Sequence, residues 1–371
     1  MAISRRLLLR CIGAAAAGAA AAPAFAEGVT RRSGPLRLDS NENAYGPSSK
    51  AVAAMQEAAR NAFHHPELET EALRDAIARI HRVASDRIVL GCGCTEVLRM
   101  AADAFLGPGK TLIAAQPGFD VIGDCARLTG AAVVTVPLTH EYAHDLAAML
   151  ARTGSSTGVI YICNPNNPTG TLTGRRDLEA FVKRLPETTV VIVDEAYHHY
   201  ADDDSSEYLS FIDRPIDDDR VIVTRTFSTI FGLAGLRVGY GVAAPAVAQR
   251  LAARRIPQGV NIVAARAAVA ALDDREHVRQ SIVRNIDDRQ EFYNQCHARS
   301  LRPIDSCANF VMANTGGPGI EIIEHFRKHN VAIAPPIPGF DKFVRVSLGT
   351  QDEMREFWRV WDLMPPRKMV M

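Results

Sequence analysis

The sequence has no surplus of either charge: lysine plus arginine and aspartate plus glutamate each total 42 among 371 residues, so the formal net charge is zero. No global field draws such a chain to nucleic acid or to an anionic lipid surface, and neither is expected as a partner. It also lacks a C-x-x-C pair and any Cys/His cluster at zinc spacing. Cys92-x-Cys94 alone is too sparse for a metal site, and most of the seven cysteines are expected as small buried hydrophobes. No internal repeat recurs at a period of about 20 to 50 residues, which excludes solenoids and propellers. What is present, 47% hydrophobic and 23% charged residues, is an ordinary globular composition, long enough to bury a large core in two domains.

Long apolar runs are missing too, with one alanine-rich exception at the start. Arg5-Arg6 is followed by Leu7-Leu8-Leu9, an apolar stretch to Ala22, and Ala24-Phe25-Ala26 as an A-x-A cleavage site. Residues 1–26 read as a twin-arginine export signal, with the mature chain starting near Glu27. The run is short for a spanning helix of about 20 residues and its alanines are weakly apolar. The expectation is a periplasmic or otherwise exported protein that uses the twin-arginine machinery and has no stable membrane insertion after signal removal.

After residue 87 short apolar segments alternate with helical ones. Strands are expected over 87–90, 111–115, 132–136, 159–163, 190–193, 221–224 and 238–242. That alternation predicts an α/β fold with a mostly parallel seven-stranded sheet between helices. In such sheets ligands gather at the loops after the strands' carboxyl ends. Helical spacing covers 48–60 and 67–81, where Leu68, Leu73, Ile77 and Ile80 can share a face. Helical composition runs beyond Leu251 to about residue 299, then a strand over 309–312, a helix over 319–329 and a last strand over 343–350. These give an N-terminal arm at 27–50, a large domain at 51–255 and a smaller α+β domain with its connecting helix at 256–371.

Several of the expected loops carry chemistry. Gly91-Cys92-Gly93-Cys94-Thr95-Glu96 joins a strand to a helix, and glycines with helix-opening amides suit a phosphate. Asn164-Pro165-Asn166-Asn167-Pro168-Thr169-Gly170 must be an irregular turn. The apolar run 190–193 ends on Asp194-Glu195-Ala196-Tyr197; an acid there is a helix cap, a solvated end or a catalytic group. The stretch 224–240 reads TRTFSTIFGLAGLRVGY, and 343–350 reads FVRVSLGT.

These motifs together resemble the fold-type I pyridoxal-phosphate (PLP) aminotransferases, nearest to the histidinol-phosphate aminotransferase group, from about residue 37 to 357. The resemblance implies the fold-type I architecture and a phosphate site at Gly93, Cys94 and Thr95, where the family has serine at the Cys94 position. It implies Phe119 stacked on the pyridine ring, Asn167 and Tyr197 at the ring hydroxyl, and Asp194 against the ring nitrogen, raising its pKa so that the ring acts as an electron sink. Ser228 and Arg237 become phosphate ligands, the guanidinium binding in two-point fashion. Asn43 and Tyr45 in the arm, Asn167 and Arg345 become substrate contacts, the arginine pairing with the carboxylate of an amino acid or 2-oxo acid. A homodimer is implied, in which Phe63 replaces a tyrosine that reaches the neighbouring subunit's cofactor phosphate.

One letter of the 224–240 stretch departs from the family's wording S-K-x-x-G-L-A-G-x-R. Thr229 stands where the resemblance places the lysine that forms the imine with the cofactor and then moves protons. Threonine has no amine and no basic form at neutral pH. None of Lys50, Lys110, Lys183, Lys328, Lys342 and Lys368 lies in a motif aimed at the ring. Three readings stay open. The chain transfers amino groups between an amino acid and a 2-oxo acid with another proton relay, Tyr197, Tyr45, His64 or His65. It is an exported, non-catalytic protein that binds PLP non-covalently or as an external imine with an amino acid. Or it is an ordinary transaminase with a single-base lysine-to-threonine change.

Overall fold

The computed structural model describes residues 34–201 and 208–365; the expected export signal at 1–26 lies outside them. In chain order the first eight strands are β1 (Leu36–Leu38), β2 (Ile88–Gly91), β3 (Thr111–Gln116), β4 (Ala132–Pro137), β5 (Thr157–Cys163), β6 (Val190–Asp194), β7 (Val221–Thr226) and β8 (Gly239–Val242). Seven of them form one sheet in the order β2-β8-β7-β6-β5-β3-β4. β8 runs antiparallel to both neighbours and every other pair is parallel. All seven expected strands are present to within two residues at each end. The reason is visible in β5 and β6: residues 159–163 and 190–194 are buried without a break, as strands covered on both faces must be.

Between β3 and β5 the strand order reverses, because β3 leads outward to β4 while β5 leads the other way to β6. Connections leaving in opposite directions open a crevice at the carboxyl ends. Helices α1 (Ser49–Ala59), α2 (Glu67–His81) and α3 (Cys94–Phe105) follow the arm and β2, and α4 (Ile262–Leu272) packs against α1 and α2. Ser48 caps α1, its side chain accepting from the Ala51 amide. The expected apolar face of α2 holds only in part: Leu73 and Ile77 are fully buried beside Ala76, but Leu68 is 78% exposed and Ile80 sits at the rim. Packing against α4 covers the middle of α2 and leaves its first turn outside.

The helical stretch before residue 299 is broken into separate helices, the last being the 24-residue α5 (Arg275–Ala298). Beyond it come β9 (Arg302–Pro303), β10 (Phe310–Asn314), α6 (Gly319–Lys328), β11 (Val331–Ile333), β12 (Phe343–Ser347) and α7 (Gln351–Trp361). β12, β10 and β9 make an antiparallel sheet. A second apolar core forms here from Phe292, Phe326, Phe357, Trp358 and Trp361. β1 pairs in parallel with β11, Leu36 opposite Val331, and Leu38 enters that core. The start of the arm is thereby anchored to β11 and the C-terminal core, which brings residues 41–43 against the loops of the large sheet.

Of the six described cysteines, all free, only Cys163 and Cys296 are fully buried; the others are half-buried, so the expectation of buried cysteines holds for two.

Candidate functional site

A cavity of about 330 Å³ opens at the carboxyl ends of β5, β6 and β7, beneath the arm. Cys94, Thr95, Phe119, Asn167, Asp194, Tyr197, Ser228, Thr229 and Arg237 all line it. They arrive from six sequence segments: Cys94 and Thr95 open α3, Phe119, Asn167, Asp194 with Tyr197, and Ser228 with Thr229 lie at or just after strand ends, and Arg237 stands just before β8. The turn that carries Thr229 is held against the arm: Asn43 Nδ2 donates to the Ile230 carbonyl at 2.8 Å. Gly232, at φ +66°, lies so close that a Cβ there would stand 2.5 Å from the Gly46 carbonyl.

Asp194 closes β6 and is 1% exposed. Tyr161 donates its hydroxyl to Asp194 Oδ2 at 2.7 Å, while Oδ1 is buried with no partner. Burial pushes this carboxyl above the usual carboxylate range, and the Tyr161 bond opposes the shift. A buried carboxylate oxygen left unpaired is costly unless a ligand donor completes it.

At the other end, Gly93 caps α3 at φ +77°. A Cβ on Gly93 would run into the Arg237 guanidinium, so only glycine lets this arginine lie against the helix start. Arg237 Nη1 donates to the Ala234 carbonyl at 2.9 Å and to Ser228 Oγ at 3.4 Å. Helix-opening amides, a hydroxyl and a guanidinium thus share one corner, the donor set that an anion requires. Desolvation pushes the Cys94 thiol up, so it adds no negative charge there.

Tyr197 joins two short chains of hydrogen bonds. Arg345 Nη1, on β12, donates to Asn167 Oδ1 at 2.7 Å, and Asn167 Nδ2 donates to the Tyr197 hydroxyl at 3.2 Å. Ser347 Oγ donates to Asn41 Oδ1 at 3.1 Å, and Asn41 Nδ2 donates to the same hydroxyl at 2.9 Å. Both lone pairs of that oxygen are taken, so its proton is directed elsewhere. Burial raises the Tyr197 pKa, the nearby Arg345 acting against it. Arg345 also donates from Nη2 to the Asp39 carbonyl at 2.8 Å, keeps Nε unpartnered, and has its own pKa lowered by burial. Thr229 is 6% exposed and donates its hydroxyl to the Ala196 carbonyl at 2.9 Å.

Four expected site residues are not among the lining: Gly93, Asn43, Tyr45 and Arg345, the last joined to the cavity through Asn167. Gly93 stands behind the lining, under Arg237. Tyr45 does not line the cavity; its hydroxyl donates to Asp288 Oδ2 on α5 at 2.8 Å, and Arg284 lies 4.7 Å over its ring. His64 and His65, weighed as proton relays, border a separate recess with Pro66 and Pro257. Sequence reasoning missed Asn41, Tyr161, Cys163 and Thr226. Asn41 was in the arm motif already; Tyr161 is on β5 beside β6, and neither carries a motif of its own. None of the described lysines, Lys50, Lys110, Lys183, Lys328 and Lys342, lines the cavity.

Residues 33–360 match the family model for aminotransferase class I and II. The chain belongs to that family. It is 37% identical over 332 residues to the histidinol-phosphate aminotransferase of Moorella thermoacetica, covering 87% of this chain and 84% of the relative. It is 38% identical over 328 residues to that of Methylobacillus flagellatus, covering 88% and 87%. Among solved structures, histidinol-phosphate aminotransferase from Sinorhizobium meliloti in complex with pyridoxal phosphate superposes with a TM-score of 0.83 at 27% identity, covering 90% of this chain and 92% of that one. The architecture is accordingly the fold-type I α/β fold of PLP-dependent aminotransferases. The cavity's donor set fits that cofactor: an unpaired acid for a pyridine nitrogen, a free hydroxyl proton for a ring oxygen, and an anion corner for a phosphate.

Proposed function

We propose that this chain binds PLP non-covalently in the cavity, recognises the carboxylate of an amino acid or 2-oxo acid beside it, and does not turn over as an ordinary transaminase. The observation that carries the reading is that Thr229, and no described lysine, lines a cavity otherwise furnished for the cofactor. When bound, the cofactor supplies a protonated ring that withdraws electrons from a substrate carbon. Asp194 Oδ1 holds the proton on the ring nitrogen. Tyr197 donates to the ring oxygen, with Asn167 and Asn41 fixing its direction. Arg237, Ser228 and the amides at Cys94 and Thr95 hold the phosphate, and Phe119 covers the ring. Arg345, held behind Asn167 by its bonds to that amide and to the Asp39 carbonyl, is the cation for the ligand's carboxylate.

Thr229 occupies the position of the family's lysine in this reading, and supplies neither a covalent anchor nor a proton carrier. General acid–base help is worth about 10²- to 10⁴-fold, so its loss alone removes useful turnover. Tyr197 is no substitute base, since burial keeps its proton on. The protein acts as a homodimer exported by the twin-arginine route; its function outside the cytoplasm is ligand capture.

The deciding experiment mixes the full chain with PLP, an amino acid and a 2-oxo acid, and follows amino-group transfer alongside cofactor retention on gel filtration. The expected result is saturable binding, loss of cofactor on filtration, and transfer only in the Thr229→Lys variant. Many turnovers by the unaltered chain would overturn the reading.

A further inference from the structure

We infer that the cavity selects the amine form of the cofactor, pyridoxamine phosphate, over the aldehyde form; this rests on the proposed placement of the cofactor ring and specifies which member of its class the site holds. With the ring nitrogen at Asp194, the ring oxygen at Tyr197 and the phosphate at Ser228 and Arg237, three sides of the pyridine are assigned. The carbon that carries the aldehyde or amine lies on the ring between the hydroxyl and the phosphate arm. Ala196 and Thr229, neighbours in sequence of Tyr197 and Ser228, both line the cavity and are hydrogen-bonded to each other.

That wall offers acceptors. The Thr229 hydroxyl proton is committed to the Ala196 carbonyl at 2.9 Å, so its oxygen presents lone pairs to the cavity. An alkylammonium, charged at neutral pH, brings three donors to these acceptors. An aldehyde brings only an acceptor, and pairing it with Thr229 requires that the bond to Ala196 be broken. The usual compensation for the aldehyde is a covalent bond to a lysine amine. No described lysine lines this cavity, so that compensation is missing. The amine form needs no such bond, and the same threonine that cannot hold the aldehyde is matched to the ammonium.

The preference is expected to be about tenfold or more in Kd, the worth of one charge-assisted hydrogen bond. Isothermal titration of the full chain with pyridoxamine phosphate, PLP and deoxypyridoxine phosphate, which has a methyl in place of the aldehyde, reads it directly. Pyridoxamine phosphate should bind about tenfold more tightly than the methyl analogue. Thr229→Val, which keeps the shape but removes the oxygen, should bring the two together, and Thr229→Ser should keep them apart. Should Thr229→Val unfold, the ratio in the unaltered chain and in Thr229→Ser still decides. Equal or weaker binding of the amine form overturns the inference while leaving the proposed function standing. Failure of all three ligands to bind overturns the proposed function itself, and the inference with it.

Discussion

Arg345, on β12, and Tyr197, in the turn after β6 and 148 residues away in sequence, are joined through the single amide of Asn167. The arginine fixes which end of the amide faces the tyrosine: Oδ1 accepts from the guanidinium, so Nδ2 points to the hydroxyl. A carboxylate that engages Arg345 therefore acts on the same network that directs the Tyr197 proton.

This coupling predicts two different phenotypes from neighbouring positions. Arg345→Gln removes the carboxylate's cation and leaves the ring contacts, so amino acid or 2-oxo acid affinity falls by about tenfold to a hundredfold with cofactor affinity little changed. Asn167→Ala frees both Arg345 Nη1 and the Tyr197 oxygen, and weakens both ligands. Titration of each variant with cofactor alone, then with the acid added, separates the two. Equal losses of cofactor in both variants would contradict the coupling.

Asp194 predicts opposite effects in the free and bound states. Its Oδ1 is buried without a partner, so Asp194→Asn removes a desolvated charge and should leave the melting temperature of the cofactor-free protein unchanged or higher. The same variant cannot hold a ring-nitrogen proton by charge, and the rise in melting temperature on adding cofactor should shrink, since ligand stabilisation follows affinity. Differential scanning fluorimetry with and without cofactor checks both signs. A large drop in the free protein would mean that Asp194 is held by contacts other than the Tyr161 bond.

The surface around α2 predicts assembly. Gln258 Nε2 donates to Glu67 Oε1 at 2.5 Å, tying the segment before α4 to the start of α2, and Phe63, Leu68 and Ile256 stay exposed nearby at 79%, 78% and 56%. Exposed large apolar groups gathered on one face mark an interaction surface. Burying one such side chain is worth about 1.5–3 kcal/mol, and a two-fold interface buries each twice. Leu68→Glu should shift the chain from dimer to monomer on size-exclusion chromatography with light scattering. A monomeric unaltered chain would remove the dimer from the proposal.

Leu68 also shows how far the sequence could be read. Its helix was legible from apolar spacing, and so were all seven strands of the large sheet, because runs such as 190–193 have few alternatives to a strand covered on both faces. The cavity was legible for the same reason: motif residues sat where strands ended, and the fold gathers those ends. Leu68 itself was misplaced because spacing states which residues share a face, not how far along the helix a partner extends. Tyr45 was misplaced because its partner, Asp288, is 243 residues away on a helix with no motif. Asn41 and Tyr161 went unseen because a hydrogen bond between side chains of separate elements leaves no period in the chain.

The Tyr45–Asp288 pair ties the arm to α5 and predicts how stability depends on pH. Burial lifts Asp288 to about 6; the hydrogen bond from Tyr45 opposes this, Asp287 adds to it and Arg284 opposes it. An unfolded aspartate titrates near ~3.9, so between that value and the raised one the folded chain binds more protons than the unfolded chain. The contribution is therefore fully present below the unfolded value and is lost as pH rises through about 6. Asp288→Asn stays neutral at every pH and still accepts from Tyr45, so it should remove this decline. Relative to the unaltered protein, the variant should melt at the same or a lower temperature near pH ~4 and at a higher one near pH ~7, the two curves crossing between. Parallel curves over that range would show that Asp288 keeps its charge in the folded chain, and that the arm is held by an ionised acid throughout.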